Sequence, residues 1–226
     1  MSPTQRTKAW VAWSSGKDSV WALHAARRSN AVEVVGLLTT VTEAYGRVSM
    51  HGVREELLQA QARALGLPLY SAYIPTPCPD EAYEEVMRRA MGEAGRDGVT
   101  QIVFGDLFLE DIRAYREKQL GAIGMEAHFP LWGRDTAALA REMIAGGVRA
   151  CVTCLDPRKI GREFAGREFD LEFLTLLPAG VDPCGENGEF HTFAWDGPAF
   201  AHPVRVRTGE TVEREGFIFT DVLAED

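Results

Sequence analysis

Short apolar runs alternate with amphipathic stretches over the first two thirds of the chain, and few folds accommodate that rhythm. Trp10-Val11-Ala12-Trp13 is brief, apolar and aromatic and ends in a Ser/Gly loop, which predicts a buried strand. Ser19 to Arg28 carries Val20, Leu23, Ala26 and Arg27 at helical spacing. The β-branched run Val32 to Leu38, closed by Thr39-Thr40, predicts a second strand. Arg54 to Leu65 sets Leu57, Leu58, Gln61, Ala62 and Leu65 along one stripe, and Gly66 and Pro68 stop it. Leu69 to Ile74 is a third strand, Asp80 to Ala94 a helix with an acidic start, and Gln101 to Phe104 a fourth strand leading into Gly105-Asp106. Strands spaced by helices of this length require crossovers, hence a mostly parallel sheet with helices on both faces. Ligands of such sheets bind beyond the carboxyl ends of the strands. Three segments fall there: the loop after Trp13, the stretch after Thr39, and Gly105-Asp106.

Beyond Pro130-Leu131-Trp132-Gly133 the texture changes. A helix (Thr136 to Ala145) and a strand (Arg149 to Thr153) continue the rhythm, and then turn signals crowd together, among them Asp182 to Gly188 and Thr208-Gly209. Val204 to Arg207 alternates as a half-exposed strand, with Gly216 to Val222 as its expected partner. The expected organisation is a first unit over 1–133 and a smaller α+β unit over 134–226.

Composition narrows the function. The 226 residues are 46% hydrophobic and 25% charged, the balance of a globular chain with a sizeable core. There are 14 basic and 16 acidic residues through Gly133 and 10 basic and 17 acidic beyond it, so neither part offers the basic excess that nucleic-acid phosphates demand. No apolar run approaches the roughly 18 residues of a membrane span. The start of the chain lacks a signal peptide's apolar stretch, and four cysteines with a single C-x-x-C pair are too few for a disulfide framework. The expectation is a reduced, cytoplasmic protein whose substrate is a small molecule or a protein, with a homodimer allowed for.

The most informative stretch is Ser14-Ser15-Gly16-Lys17-Asp18-Ser19, between the first strand and the first helix. Small residues let the backbone turn and aim N–H groups at an anion, and the helix start adds its positive end. Lys17 supplies charge, Ser14, Ser15 and Ser19 supply hydroxyls, and Asp18 suits a cation such as Mg²⁺. It is not a Walker A loop, because Asp18 follows the lysine and no glycine stands at position 11. A plain Ser/Gly turn with Asp18 and Ser19 as caps is the bland alternative.

These six residues resemble the S-G-G-K-D-S signature of the PP-loop, or N-type ATP pyrophosphatase, superfamily. Val103-Phe104-Gly105-Asp106, Pro130-Leu131-Trp132-Gly133 and Gly185-Glu186-Asn187-Gly188-Glu189-Phe190-His191-Thr192, in this order, narrow the resemblance to the diphthine–ammonia ligase (diphthamide synthetase) family and its bacterial relatives. The resemblance covers nearly the whole chain. It implies a Rossmann-like adenine-nucleotide α-hydrolase fold and cleavage of ATP to AMP and pyrophosphate. A substrate carboxylate would be adenylated and then amidated by ammonia or an amine. It implies ATP contacts at Ser14 to Ser19, Thr39, His51, Gly105 and Asp106, and Mg²⁺ at Asp18 and Asp106. The implied catalytic residues are Lys17, Asp18, Glu186 and Glu189, and the acceptor would meet Glu186, Asn187, Gly188, Glu189 and His191. Two departures stand out: Ser15 replaces the signature's second glycine, and His191 stands where eukaryotic and archaeal ligases usually carry an acidic residue. The resemblance therefore implies the ATP chemistry more strongly than the identity of the acceptor. A PP-loop enzyme that modifies RNA and a nucleotide-binding regulator without chemistry are the competing readings.

Read without the resemblance, Gly185 to Thr192 divides evenly. Asn187-Gly188 suits a type I′ hairpin turn, with Phe190, Phe193 and Trp195 as packing residues. Alternatively, Glu189 and His191, two apart on a strand, share a face that takes a cationic or amide-bearing substrate. Cys151 and Cys154, on one apolar strand, read as buried thiols and only secondarily as metal or redox ligands.

Overall fold

The computed structural model describes residues 6–225. The elements alternate as expected: β1 (Thr7–Ala12), α1 (Lys17–Ser29), β2 (Val32–Thr42), β3 (Arg47–Val48), α2 (Glu55–Leu65), β4 (Leu69–Ile74), α3 (Asp80–Arg96), β5 (Val99–Val103), α4 (Glu110–Gly121) and β6 (Glu126–His128). There follow α5 (Thr136–Ala145), β7 (Arg149–Leu155), α6 (Leu171–Leu176), β8 (Phe190–Asp196), β9 (Val206–Arg214) and β10 (Phe217–Ala224).

In the first sheet β2, β1, β5 and β6 run side by side and parallel, with β4 parallel to β2 on its other edge. β2 has 11 residues against the six of β1, so it outruns its neighbour. The vacated edge is taken by β3, antiparallel, at Val41–Val48 and Thr42–Arg47. This is why β2 continues past Thr40: Thr39 to Thr42 keep a partner, residues 71–74 of β4, to the end.

The second sheet is antiparallel in the order β8-β7-β10-β9. Glu215 and Gly216 join β9 to β10 with φ of 50° and 80°, the two positive angles of a type I′ turn, whose twist matches the flanking strands. The Thr208-Gly209 turn signal is overturned: both residues lie inside β9, opposite an irregular register in β10 between Thr220 and Val222. Gly209 has the side chains of Leu223 and Asp221 about where a Cβ would go, at 3.2 and 3.3 Å, so this is glycine serving close packing within a bulged strand.

One core joins the sheets. Val11 and Trp13 of the first unit, Val20 and Leu23 of α1, and Phe193, Ala194 and Ile218 of the second belong to a single buried cluster. A separate cluster on the other face of the first sheet packs Trp10, Leu38 and Ile102 under Ala90, Met91 and Ala94 of α3. α1 thus touches β1 and β5 on one side and β8 on the other, which brings the loop at its start against the second sheet. Among the described residues no helix is long and apolar enough to cross a membrane.

Candidate active site

The loop between β1 and α1 is held by both units. The Trp13 N–H donates to the Leu38 carbonyl at 2.6 Å, extending the β1–β2 pairing into the loop. Ser15 has φ 71°, the left-handed region where the signature's glycine would sit without strain. Its carbonyl accepts from the Ala194 N–H at 2.9 Å and from Gln61 Nε2 at 3.0 Å. Gly16 caps α1, and a Cβ there would lie 3.0 Å from the Thr192 carbonyl. The Lys17 N–H donates to Thr192 Oγ1 at 3.1 Å, and Ser19 Oγ donates to the Gly16 carbonyl at 2.8 Å. Gly105 presses on the loop from the opposite side: a Cβ there would lie 3.0 Å from the Asp18 carbonyl carbon and oxygen. Bulk at either glycine would push the loop out of shape.

The Lys17 side chain is 1% exposed and turns toward the second unit. Nζ lies 2.9 Å from Asp18 Oδ2, donates to the Cys184 carbonyl, and sits over the rings of Phe169 and Phe190 at 5.3 and 5.2 Å. Burial alone would lower its pKa, but Asp18, Cys184 and Asp182 outweigh that and keep the ammonium charged. Burial pushes the Asp18 carboxyl up against the pull of Lys17. Three buried oxygens, Ser15 Oγ and Asp18 Oδ1 in the loop and Thr39 Oγ1 on β2, have no hydrogen-bond partner among the described residues. Buried polar atoms without partners are rare, and a polyanion with its cation would satisfy these.

Residues 182–189 fold into consecutive turns. Asp182 Oδ2 accepts from the N–H groups of Cys184 and Glu186 at 3.1 and 2.9 Å, and the Gly188 N–H closes a turn onto the Gly185 carbonyl at 3.0 Å. Glu186 and Asn187 occupy its corners. Asn187-Gly188 is not a type I′ turn, because only Gly188 of the two has positive φ, at 76°. Glu186 Oε1 accepts from the Leu107 N–H at 2.7 Å, bridging to the loop after β5. Burial raises Glu186 to about 7, Asp18 and Asp106 adding to the rise while the Leu107 N–H opposes it. Glu189 is 3% exposed; its Oε1 accepts from the Asp182 N–H and Asn187 Nδ2, both at 3.1 Å, while Oε2 is buried without a partner. His191 faces His51 with ring centroids 4.6 Å apart, and His51 Nδ1 lies 3.4 Å from the Thr192 carbonyl. Burial lowers both imidazoles, His191 to about 4, and Lys17 lowers them further, so both are neutral at pH 7.

The loop after Trp13, the stretch after Thr39 and the Gly105-Asp106 loop therefore meet residues 182–192 at one place. Asp106 is close enough to influence Glu186, with one oxygen on Arg116 at 3.1 Å. Among the described residues no three His, Cys, Asp or Glu side chains form a ready-made cation cage. Cys151 and Cys154 are free, buried in β7, and pushed up to about 12 by burial.

Residues 7–127 match the diphthamide synthase N-terminal domain, and residues 135–222 match the diphthamide synthase C-terminal domain. The chain belongs to the diphthamide synthase family. It is similar to the diphthine–ammonia ligase of Danio rerio, 31% identical over 180 residues that span 71% of this chain and 69% of that one. It is also similar to the enzymes of that name from Rattus norvegicus and Homo sapiens, each 26% identical over 75% of this chain and 69% of theirs. Family membership carries a class of chemistry, that of an ATP-dependent ligase forming a C–N bond.

Four residues of the site lack a sequence signal of their own. Gln61 reads as one more member of an α2 stripe, Thr192 as the end of a motif, Asp182 as a loop acid and Asp221 as a strand residue. Each acts through a partner more than 100 residues away or through the main chain, which no local pattern encodes.

Proposed function

We propose that the site formed by the β1–α1 loop and residues 182–192 binds ATP and a carboxylate-bearing acceptor together and amidates the acceptor through an acyl-adenylate. One observation carries this reading: the loop bearing the unpartnered Ser15 and Asp18 oxygens is hydrogen-bonded to the β8 strand that follows Glu186 and Glu189 and bears His191. The ATP-binding unit corresponds to 1–133 and the acceptor unit to 134–226.

In this reading the loop N–H groups, the α1 terminus and the serine hydroxyls bind the triphosphate, and Thr39 and His51 flank the nucleoside. Asp18 Oδ1 and Asp106 would hold Mg²⁺, which supplies Lewis-acid neutralisation of phosphate charge. The acceptor carboxylate oxygen attacks the α-phosphorus, the bond to the bridging oxygen breaks, and pyrophosphate leaves with the electron pair. Lys17 and the helix terminus stabilise the charge gathered there. Ammonia then attacks the acyl carbon and AMP departs. Glu189 Oε2 suits an ammonium ion, and Glu186, raised to about 7, suits the proton that ammonium must lose. The relatives' names specify diphthine and ammonia, and we extend that acceptor class to this chain. Incubation with Mg-ATP, ammonium and a diphthine-bearing protein should yield AMP and pyrophosphate in step with amide, whereas ADP and phosphate would refute the scheme.

A further inference from the structure

Gln61 is completely buried, lies on α2 outside every motif, and uses all of its amide on the phosphate loop and its support. Oε1 accepts from Trp13 Nε1 at 2.8 Å, and Nε2 donates to the Ser15 carbonyl at 3.0 Å and to the Ala194 carbonyl at 2.6 Å. Trp13 is the last residue before the loop, Ser15 carries the loop's left-handed turn, and Ala194 lies three residues after His191 on β8. No other amino acid offers one acceptor and two donors at this reach with no net charge.

We propose that Gln61 is a positioning residue of the nucleotide site. It holds the Ser15 carbonyl at 3.0 Å and so fixes the Ser15–Gly16 peptide, whose N–H meets Ser14 Oγ at 3.3 Å inside the loop. It also ties the loop to β8, so the phosphate site and the acceptor constellation keep one geometry. The left-handed Ser15 conformation is unfavourable for a residue with a Cβ, so it persists only where neighbours over-determine it. Two hydrogen bonds on its carbonyl do this, one from the Ala194 N–H and one from Gln61. The inference rests on reading Ser14 to Ser19 as the ATP site.

The test is Mg-ATP affinity by calorimetry for the wild type, Q61M, Q61E and W13F, each verified as folded by circular dichroism at the pH used. Q61M keeps the volume and removes all three bonds, so Mg-ATP affinity should fall by about tenfold or more. Q61E turns an ionised oxygen toward two carbonyl oxygens at pH 8 and should lose as much relative to wild type. At pH 6 a buried glutamic acid takes up a proton and regains one donor, so the Q61E deficit should shrink while that of Q61M stays constant. W13F frees only Oε1 and should give a smaller loss in the same direction. It keeps the inference testable if Q61M does not fold. Folded Q61M and Q61E that bind Mg-ATP like the wild type at pH 8 would overturn the role of Gln61 alone. A wild-type protein that takes up no Mg-ATP would overturn the phosphate-loop reading beneath it.

Discussion

Single residues set the chemistry of the site through burial more than through identity. Glu186 has the side chain of any surface glutamate, yet burial beside Asp18 and Asp106 raises it to about 7. An acid raised in the folded state adds stability that is fully present below its unfolded pKa of 4.5 and lost as pH climbs through about 7. The melting temperature of E186Q should therefore gain on that of the wild type between pH 5 and pH 8. If Glu186 is the proton acceptor, kcat/KM of the wild type should rise along a limb near pH 7 that E186Q lacks. A melting-temperature difference that does not change with pH would count against the burial. The signature itself was legible in the sequence, since Ser/Gly/Lys/Asp spacing encodes a local loop. The neutrality of His51 and His191 was not, because it comes from burial and from a lysine distant in the chain.

At the scale of elements, the second sheet fixes loops of the first. Asp221 of β10 accepts from Arg47 Nη1 at 2.9 Å and from Arg54 Nη2 at 2.6 Å, and Phe219 occupies the space beside Gly52, where a Cβ would be 3.0 Å from its ring. His51 lies inside this clamp. Burial would raise the Asp221 carboxyl, but hydrogen bonds from Arg54 and Arg47 outweigh it and hold it at about 2. Its stability contribution is thus present above pH 3.8 and lost as pH falls through about 2. D221N should lower the melting temperature at pH 7 by a few degrees, on the order of 2–4 °C per kcal/mol for a chain this size, and weaken Mg-ATP binding by loosening the His51 loop. Unchanged melting and binding would remove the clamp from the account. Strand and helix positions were readable from periodicity because each buries one face locally. The Thr208-Gly209 turn signal, and the type I′ alternative at Asn187-Gly188, fail where tertiary packing overrides turn propensity.

Over the whole molecule, two sheets share one core, although the family's N- and C-terminal domains meet between residues 127 and 135. Trp13, Leu23 and Phe193 lie in one buried cluster, so parting the units would expose the apolar surface it covers. Calorimetry of the full chain should give a single transition, and a 1–133 fragment should show none that is cooperative. Two separable transitions would contradict the shared core. The composition break near Gly133 predicts two units but carries no hint that α1 lies between the two sheets; contact between distant segments leaves no trace in local composition. That sandwich sets the β1–α1 loop against β8, and the activation step proposed for this site tests it most directly. With radiolabelled pyrophosphate, Mg-ATP and a diphthine-bearing protein but no ammonium, label should enter ATP, because the acyl-adenylate forms reversibly before the nitrogen arrives. Exchange that proceeds undiminished without the acceptor, or that fails with it while amide still forms once ammonium is added, would contradict adenylation of an acceptor in this site.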